Sequence, residues 1–594
     1  MLVRTPSRRQ PSDQWSPSLP FRGILWSLIL AVVLIAATVL CRPLLPVDET
    51  RYLSVAWEAH LRGDILVSHL NGDPYSHKPP LLFWLINAAW ALTGVSEVAA
   101  RLVSPIAGIV CVLLTRQLAV RLWPGDRQTA FCAPLMLVSS MLWMCFGSAT
   151  MFDTLLTCFT LVALIGILRA HSGAYVSGWI ITGLAIGFGV LSKGPVVLVH
   201  VMPTALLAPW WSATARAAWL RWYGGCFLVV VVGAAIALAW AIPSAMAGGS
   251  QYANELLFGQ TAGRMVSSFA HREPFWWYLP ILPVCLCPWI LFGAFWRGCR
   301  IVKSDSSLKF LICCAGGSFF ILSAVSGKQA YYLLPMLPAC VLLIARIVAA
   351  VENVSRRDLL FIVAGTVFLG SLPFIAQQSG SQTPANLTGL IDQRWSIVLV
   401  FCGLFPALWN SNSVSSTVTS IATAAVAFIA LLNTSLSGGF WAEFDMKPLA
   451  KAVSAQKQTV AWYGNYHGQL NFLGRIPRMH EVFTGIELQR WLSEDHSRVV
   501  VMRLPDSMGP AADHQPGSES AGPATDADSS VLAGTNNFTG HDWGPQLLFR
   551  QTVRKGLATV QFGIVRFDRV PTIRCGVSGI GSNCRLSLNC GREL

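Results

Sequence analysis

An acidic pair, Asp48 and Glu49, follows directly on the first long apolar run of this chain, in the segment VDETRYLSVAWEAHLRGD at residues 47–64. A charge held at the edge of a hydrocarbon layer costs at least a few kcal/mol, so residues kept there are candidates for function by default. Further along the same loop, SHKPPLLFWL at residues 76–85 adds His77 and Lys78. Polar residues recur at the ends of later apolar runs. They are Asp153 in SATMFDTLLT, Lys193 in LSKGP, then Arg264, His271 and Arg272, and finally Lys328, Tyr331 and Tyr332 in SGKQAYYLLP. Carboxylates can take or position a proton, and cations can hold an anionic group in a dry site.

The elements that must position these residues are membrane helices. Charged residues make up 12% of the 594 residues and apolar ones 53%, against roughly 25% charged in a soluble domain. The chain therefore reads as mainly α, a polytopic membrane protein. The net charge of +14 would suit nucleic acid in a soluble protein. Here the Lys and Arg sit mostly in short loops between apolar runs, which is an orientation signal, so membrane lipids rather than nucleic acid are the expected surroundings. An anionic lipid substrate also suits this charge.

Arg4, Arg8, Arg9 and Arg22 precede the first apolar run, residues 23–41, and no small-residue cleavage site follows it. Residues 1–22 are thus expected to be a cytoplasmic tail ahead of an uncleaved first span. Further runs fall at 98–121, 129–148, 154–170, 175–191, 195–211, 223–243, 276–296, 308–325, 330–349, 359–376, 396–410 and 417–435. At about 20 residues per span this gives about 13 transmembrane helices. Counting residues 80–94 as another span would move Arg116, Arg121 and Arg127 outside and invert every later loop, against the positive-inside rule. That stretch is short and opens on Pro79 and Pro80. It is expected to lie in, or dip into, the outer interface.

With this topology the polar residues at span ends, from Asp48 and Glu49 through His77, Lys78, Asp153, Lys193, Arg264, His271 and Arg272 to Lys328, Tyr331 and Tyr332, fall on the outer face. Other roles are open to them. A Lys or Arg at a span end can simply extend its head group to the interface. Asp48 and Glu49 can favour the positive end of a short helix beginning near Tyr52, and Asp153 can be an N-cap.

At these residues the chain resembles membrane glycosyltransferases of the GT-C class, relatives of protein O-mannosyltransferase that include the lipid A aminoarabinose transferases. The DETRY loop, HKPP, FDTLLT, LSKGP and KQAYYLLP occur in the family's order with similar spacing. The resemblance implies transfer of a sugar from a polyprenyl-phosphate donor to a lipid, glycan or protein acceptor, at the periplasmic face of the bacterial inner membrane. It implies Asp48, Glu49 and Asp153 as catalytic residues. Arg51, His77, Lys78, Lys193, Arg264, Lys328, Tyr331 and Tyr332 become substrate-binding residues. In the aminoarabinose branch a Glu linked to divalent metal binding precedes the loop lysine. Here that residue is His77, which can itself ligate zinc, so a divalent metal ion at His77 is an expectation carried by the resemblance.

Displacement at an anomeric carbon passes through an oxocarbenium-like state, with phosphate as the leaving group here. Cations stabilise that leaving group, and Lys78, Arg264, Lys328 and Lys193 are the candidates, with Tyr332 donating a hydrogen bond. Asp48 is a general base if the acceptor is a hydroxyl. An ionised phosphate acceptor needs no base, and Asp48 with Arg51 then positions it or supports positive charge on the sugar.

The GT-C region is expected over residues 23–436, with its catalytic outer loop at 42–97. Beyond it the composition changes. VAWYGNYHGQLNFLGR (460–475), RVVVMRLPD (498–506) and the runs 546–553 and 558–567 read as strands of a small C-terminal α/β domain over 437–570. Residues 509–542, rich in Gly, Ser, Ala, Asp and Pro, read as a flexible insertion, and 571–594 as a tail with Cys575, Cys584 and Cys590. The alternative class is a lipid-linked sugar transporter or flippase. Such a protein should show paired Gly/Pro-broken spans in corresponding halves, and this sequence shows no such repeat.

Overall fold

The structure is a computed structural model that describes residues 19–263, 272–378, 393–409, 412–495, 497–504, 545–555 and 558–567. Arg264, His271, the expected insertion at 509–542, the terminal tail and nearly all of residues 1–22 lie outside the described residues.

In chain order the first helices are α1 (Leu19–Cys41), α2 (Asp48–Arg62), α3 (Leu81–Thr93), α4 (Glu97–Leu122), α5 (Arg127–Val138), α6 (Met141–Phe146), α7 (Phe152–His171) and α8 (Tyr175–Lys193). A two-stranded hairpin, β1 (His69–Leu70) and β2 (Asp73–Pro74), stands between α2 and α3. Among the described residues eight helices are long and apolar enough to cross a membrane, so the expected 13 are not all present as unbroken spans. Several runs are broken for local reasons. The run at 129–148 divides at Ser139 and Ser140, whose hydroxyls donate to the carbonyls of Leu135 and Met136 and compete with the helix ladder. Pro203 lies in the run at 195–211, and Pro283 and Pro288 in the run at 276–296; each removes a backbone donor. The stretch 80–94 forms α3, 13 residues, or roughly 20 Å at 1.5 Å per residue, which is short of the ~30 Å hydrocarbon core.

The chain divides into two compact units. The first comprises Met1–Thr38, Leu102–Ala239 and Arg272–Ser435; the second comprises Val39–Arg101, Trp240–His271 and Leu436–Leu594. Within the first, α7 and α8 form an antiparallel hairpin that closes through small residues. A Cβ on Gly166 would lie 2.4 Å from Thr182 Oγ1, and one on Gly178 would lie 2.4 Å from the Ala170 nitrogen, so only glycine permits this approach. Nearby, Trp211 meets Trp222 and Phe310 edge to face at 5.9 and 5.0 Å. The indoles of Trp211 and Trp222 donate to the carbonyls of Thr204 and Ala205, so their polar edges are satisfied inside the apolar core.

In the second unit a five-stranded sheet has the order β4-β3-β5-β7-β6, from β3 (Val460–Tyr463), β4 (His480–Val482), β5 (Val499–Leu504), β6 (Pro545–Lys555) and β7 (Ala558–Phe567). β3 is parallel to both β4 and β5, and β7 is antiparallel to β5 and β6. Alternation along β5 sends Val499 and Val501 to the core that Leu449 and Trp462 share, and Val500 and Leu504 to the one that Leu488 and Trp491 share. Of the segment 460–475 only the first four residues are strand; Asn471–Gly474 is a helical turn.

Candidate active site

In the second unit Asp48 is the first residue of α2, and Glu49 shares that first turn, where both carboxylates favour the helix dipole. Their environments differ. Glu49 is buried, and its Oε1 accepts from Arg42 at 3.0 Å while Oε2 accepts from the Leu45 backbone N–H at 3.0 Å. Arg101, also buried, donates to the Arg42 and Val39 carbonyls. Asp48 keeps 40% of its side chain exposed. Its Oδ1 accepts from Arg51 at 2.5 Å and from the Tyr52 hydroxyl at 3.1 Å. Its Oδ2 has no hydrogen bond among the described residues, so this oxygen is available for chemistry.

His77 is exposed, with its ring 5.1 Å from that of Tyr75, and Lys78 is half-buried. The neighbouring Ser76 hydroxyl donates to Glu255 at 2.9 Å. Glu255 opens a nine-residue π-helix, Glu255–Gly263, a form that often marks functional sites. Among the described residues no group of three or more His, Cys, Asp or Glu side chains could hold a metal ion. His77 belongs to no such cluster among the described residues.

The first unit holds the other candidates. Asp153 lies in the first turn of α7 and Lys193 in the last turn of α8. The two helices run antiparallel and are 20 and 19 residues long, so both side chains stand at one end of the hairpin, each at the dipole end that suits its charge. They form an ion pair, with side chains 2% and 11% exposed. The Lys193 ammonium also lies over the rings of Tyr331 and Tyr332, 4.9 and 4.6 Å from their centroids.

Those tyrosines begin a 3₁₀ turn, Ala330–Met336. It is anchored by Tyr278, whose hydroxyl donates to the Gln329 carbonyl and accepts the Gln329 N–H at 3.2 and 3.3 Å. Lys328 is buried and donates to the carbonyls of Val325 and Glu273. Burial lowers its ammonium below the ordinary lysine value, partly offset by the Glu273 carboxylate.

The sequence reading missed Arg42, Arg101 and Glu255. Arg42 and Arg101 flank the acidic loop at its two ends, a signal that was available in the charge pattern. Nothing local marked Glu255, which stands 179 residues from Ser76.

The model for the dolichyl-phosphate-mannose-protein mannosyltransferase family matches residues 77–244. The undecaprenyl phosphate-alpha-4-amino-4-deoxy-L-arabinose arabinosyl transferase of Pectobacterium atrosepticum is 30% identical over 410 residues, 62% of this chain and 72% of that protein. The Erwinia tasmaniensis enzyme of the same name is 30% identical over 305 residues, 50% of this chain and 54% of that protein. Against Erwinia and several other curated relatives the chain thus spans about half their length. The crystal structure of ArnT from Cupriavidus metallidurans bound to undecaprenyl phosphate superposes with a TM-score of 0.66 at 18% identity, covering 92% of this chain and 98% of that one. That likeness shows the fold, and with the extent of the Pectobacterium match this chain, a multi-pass membrane protein, belongs to the undecaprenyl phosphate-aminoarabinose arabinosyl transferase family.

Proposed function

We propose that the chain transfers a glycosyl group from a polyprenyl-phosphate-linked sugar to an envelope acceptor at the periplasmic face of the bacterial inner membrane. The acceptor is lipid A or another glycolipid, a glycan or a protein; the relatives' names specify the donor side, an undecaprenyl phosphate-linked aminoarabinose. Residues 42–97 and 437–570 would then face the periplasm, residues 23–436 would form the GT-C membrane region, and 1–22 would be cytoplasmic.

The observation that carries this reading is the contrast within the acidic pair. Both Glu49 oxygens are engaged, whereas Asp48 has its Oδ1 fixed by Arg51 and Tyr52 and its Oδ2 open among the described residues. In the reaction an acceptor oxygen bonds to the anomeric carbon as the bond from that carbon to the phosphate oxygen breaks. The electron pair leaves with the polyprenyl phosphate. A hydroxyl acceptor gives its proton to Asp48 Oδ2; an acceptor phosphate has none to give, and Asp48 with Arg51 then orients it. Lys78, Arg264 and Lys328 are assigned to the phosphate groups, as charge-assisted donors. Asp153 and Lys193 set the position of Tyr331 and Tyr332, and His77 contacts substrate.

The test is single-turnover transfer from a synthetic polyprenyl-phosphate sugar in membranes, with variant abundance checked. Asp48→Asn keeps the shape of the side chain and removes its charge. With a hydroxyl acceptor the rate should fall by roughly 10²- to 10⁴-fold while donor affinity stays nearly unchanged; a smaller loss points to a phosphate acceptor. Wild-type rates for Asp48→Asn, Glu49→Gln and Asp153→Asn together would overturn the assignment.

A further inference from the structure

We infer that residues 466–475 of the C-terminal domain are a clamp that holds α2, and with it Asp48, in place, and that Ser54 and Asn71 are positioning residues of the transfer reaction. This rests on the reading of Asp48 as the reacting carboxylate.

Ser54 lies in the interior of α2, six residues after Asp48, or roughly 9 Å along the helix at 1.5 Å per residue. A serine there commonly turns its hydroxyl back on its own helix. Instead Ser54, 1% exposed, donates to the Gly468 carbonyl at 2.6 Å and accepts the Phe472 N–H at 3.1 Å, more than 400 residues away. One hydroxyl thereby satisfies a donor and an acceptor of the same turn. Gly468 has φ +73°, and a Cβ on it would lie 2.3 Å from Leu70 Cδ1, so glycine is needed both for the backbone and for the close approach to β1.

The hairpin is held by the same segment through Asn471, and by Met479 and Glu481 just beyond it. Asn71, buried and in the left-handed region at φ +56°, joins β1 to β2. Its Oδ1 accepts from the Met479 N–H at 2.6 Å and from Asn471 at 3.3 Å. Its amide donates to the Met479 carbonyl and to Glu481, both at 2.9 Å. Asn471 is fixed in turn by the Tyr466 hydroxyl, which donates to it at 2.8 Å and accepts the Leu470 N–H at 3.1 Å. Glu58 of α2 accepts the Gly72 N–H at 3.1 Å, so helix and hairpin are tied to each other as well.

α3 is the third element gripped. Trp90 stacks on Phe472 with ring centroids 5.6 Å apart and planes 6° from parallel. Arg475 covers the other aromatic surfaces, 4.3 Å from the Phe472 centroid and 5.7 Å from that of Trp57 on α2. The segment thus fixes α2 and α3, and together with Met479 and Glu481 the β1–β2 hairpin, through a network in which Ser54, Asn71, Tyr466, Asn471 and Phe472 are buried. Such networks rigidify when complete and fail together when one member is lost. This is a physical reason for the spacing of Tyr466, Asn471, Phe472 and Arg475. None of them reaches Asp48 directly; the effect travels along α2. A displacement of about 1 Å at a reacting group can lower a rate about 10²-fold.

The experiment uses the full-length protein in lipid nanodiscs, with Ser54→Ala, Gly468→Ala and the pair Gly468→Ala with Leu70→Ala. Hydrogen exchange over residues 48–62 is read without substrate, and single-turnover transfer and donor binding are read separately. Ser54→Ala and Gly468→Ala should speed exchange in 48–62 but not in α7 and α8. They should slow transfer by roughly 10- to 10²-fold while the donor Kd changes less than about two-fold. Leu70→Ala should recover part of the Gly468→Ala loss, because it removes the atom that the new Cβ meets. The inference is overturned by wild-type exchange in 48–62 for both single variants. It is also overturned by transfer and donor binding falling in parallel with exchange rising throughout the chain, the mark of general destabilisation. If wild-type protein transfers no sugar, the functional reading fails, and the exchange arm alone decides whether the clamp holds α2.

Discussion

Replacing Lys193 with Met leaves the Asp153 carboxylate, 2% exposed, without its partner. Breaking a buried pair from one side costs about 3–5 kcal/mol, because the remaining charge is still desolvated. Removing the ammonium also removes its contact with Tyr331 and Tyr332, worth about 0.5–2 kcal/mol. Lys193→Met should therefore destabilise by roughly 3.5–7 kcal/mol if both terms are fully expressed. Asp153→Asn should cost less, since Lys193 is somewhat more exposed and keeps the aromatic faces. The double variant removes both charges, and replacing a whole buried pair is often nearly neutral. It should therefore be more stable than Lys193→Met alone, with a coupling of about 2–3 kcal/mol, within the range known for directly interacting residues. The assay is reversible unfolding in mixed micelles, followed by the near-ultraviolet signal of the tryptophans, beside single-turnover transfer. If the pair only positions the tyrosines, the double variant regains stability and much of the transfer rate. If either group reacts, stability returns and transfer does not. Strict additivity of the two single variants would refute the ion pair itself.

Two further outcomes are expected. Glu487 accepts backbone N–H bonds from Phe483 and Thr484 in the capping box of helix Gly485–Glu494, which holds its carboxyl below the ordinary value of 4.5. A depressed folded value means that stability from this group is fully present above pH 4.5 and is lost as pH falls through the folded value. Glu487→Gln should therefore be less stable than wild type at neutral pH and match it in strong acid, as read by circular dichroism against pH; a constant difference at every pH would contradict the cap. For α3, epitope tags at residues 76 and 96 should report the same side of the membrane to an impermeant reagent, and opposite sides would remove the proposed topology.

Much of the helical framework is legible because burial in lipid writes itself locally: an apolar run of spanning length needs no distant partner to be recognised. The same locality shows where such reading stops. Ser139, Ser140, Pro203, Pro283 and Pro288 interrupt runs that composition alone treats as continuous. The meeting of Asp153 and Lys193 was half visible, since two helices of nearly equal length joined by a tight turn must bring their free ends together. The tyrosines over Lys193 were visible only as neighbours in a motif. β4 was not legible at all, for its three residues alternate too briefly to show a period.

The division of labour within the acidic pair depends on geometry that adjacent residues conceal. Asp48 and Glu49 are successive in sequence, yet on a helix successive side chains point about 100° apart, so one can face the interior while the other faces outward. Which does so is settled by Arg42, six and seven residues upstream, and by Arg101, whose donation to the Arg42 carbonyl spans 59 positions. Arg42 and Glu49 then share a buried bond. Both Glu49 oxygens are thereby engaged, one by Arg42 and one by the Leu45 N–H. Asp48 has the opposite combination: one oxygen fixed by Arg51 and Tyr52, the other free among the described residues, and substantial exposure. A general base needs that arrangement, held in direction and open at one lone pair. The buried neighbour contributes by fixing the helix end from which Asp48 projects.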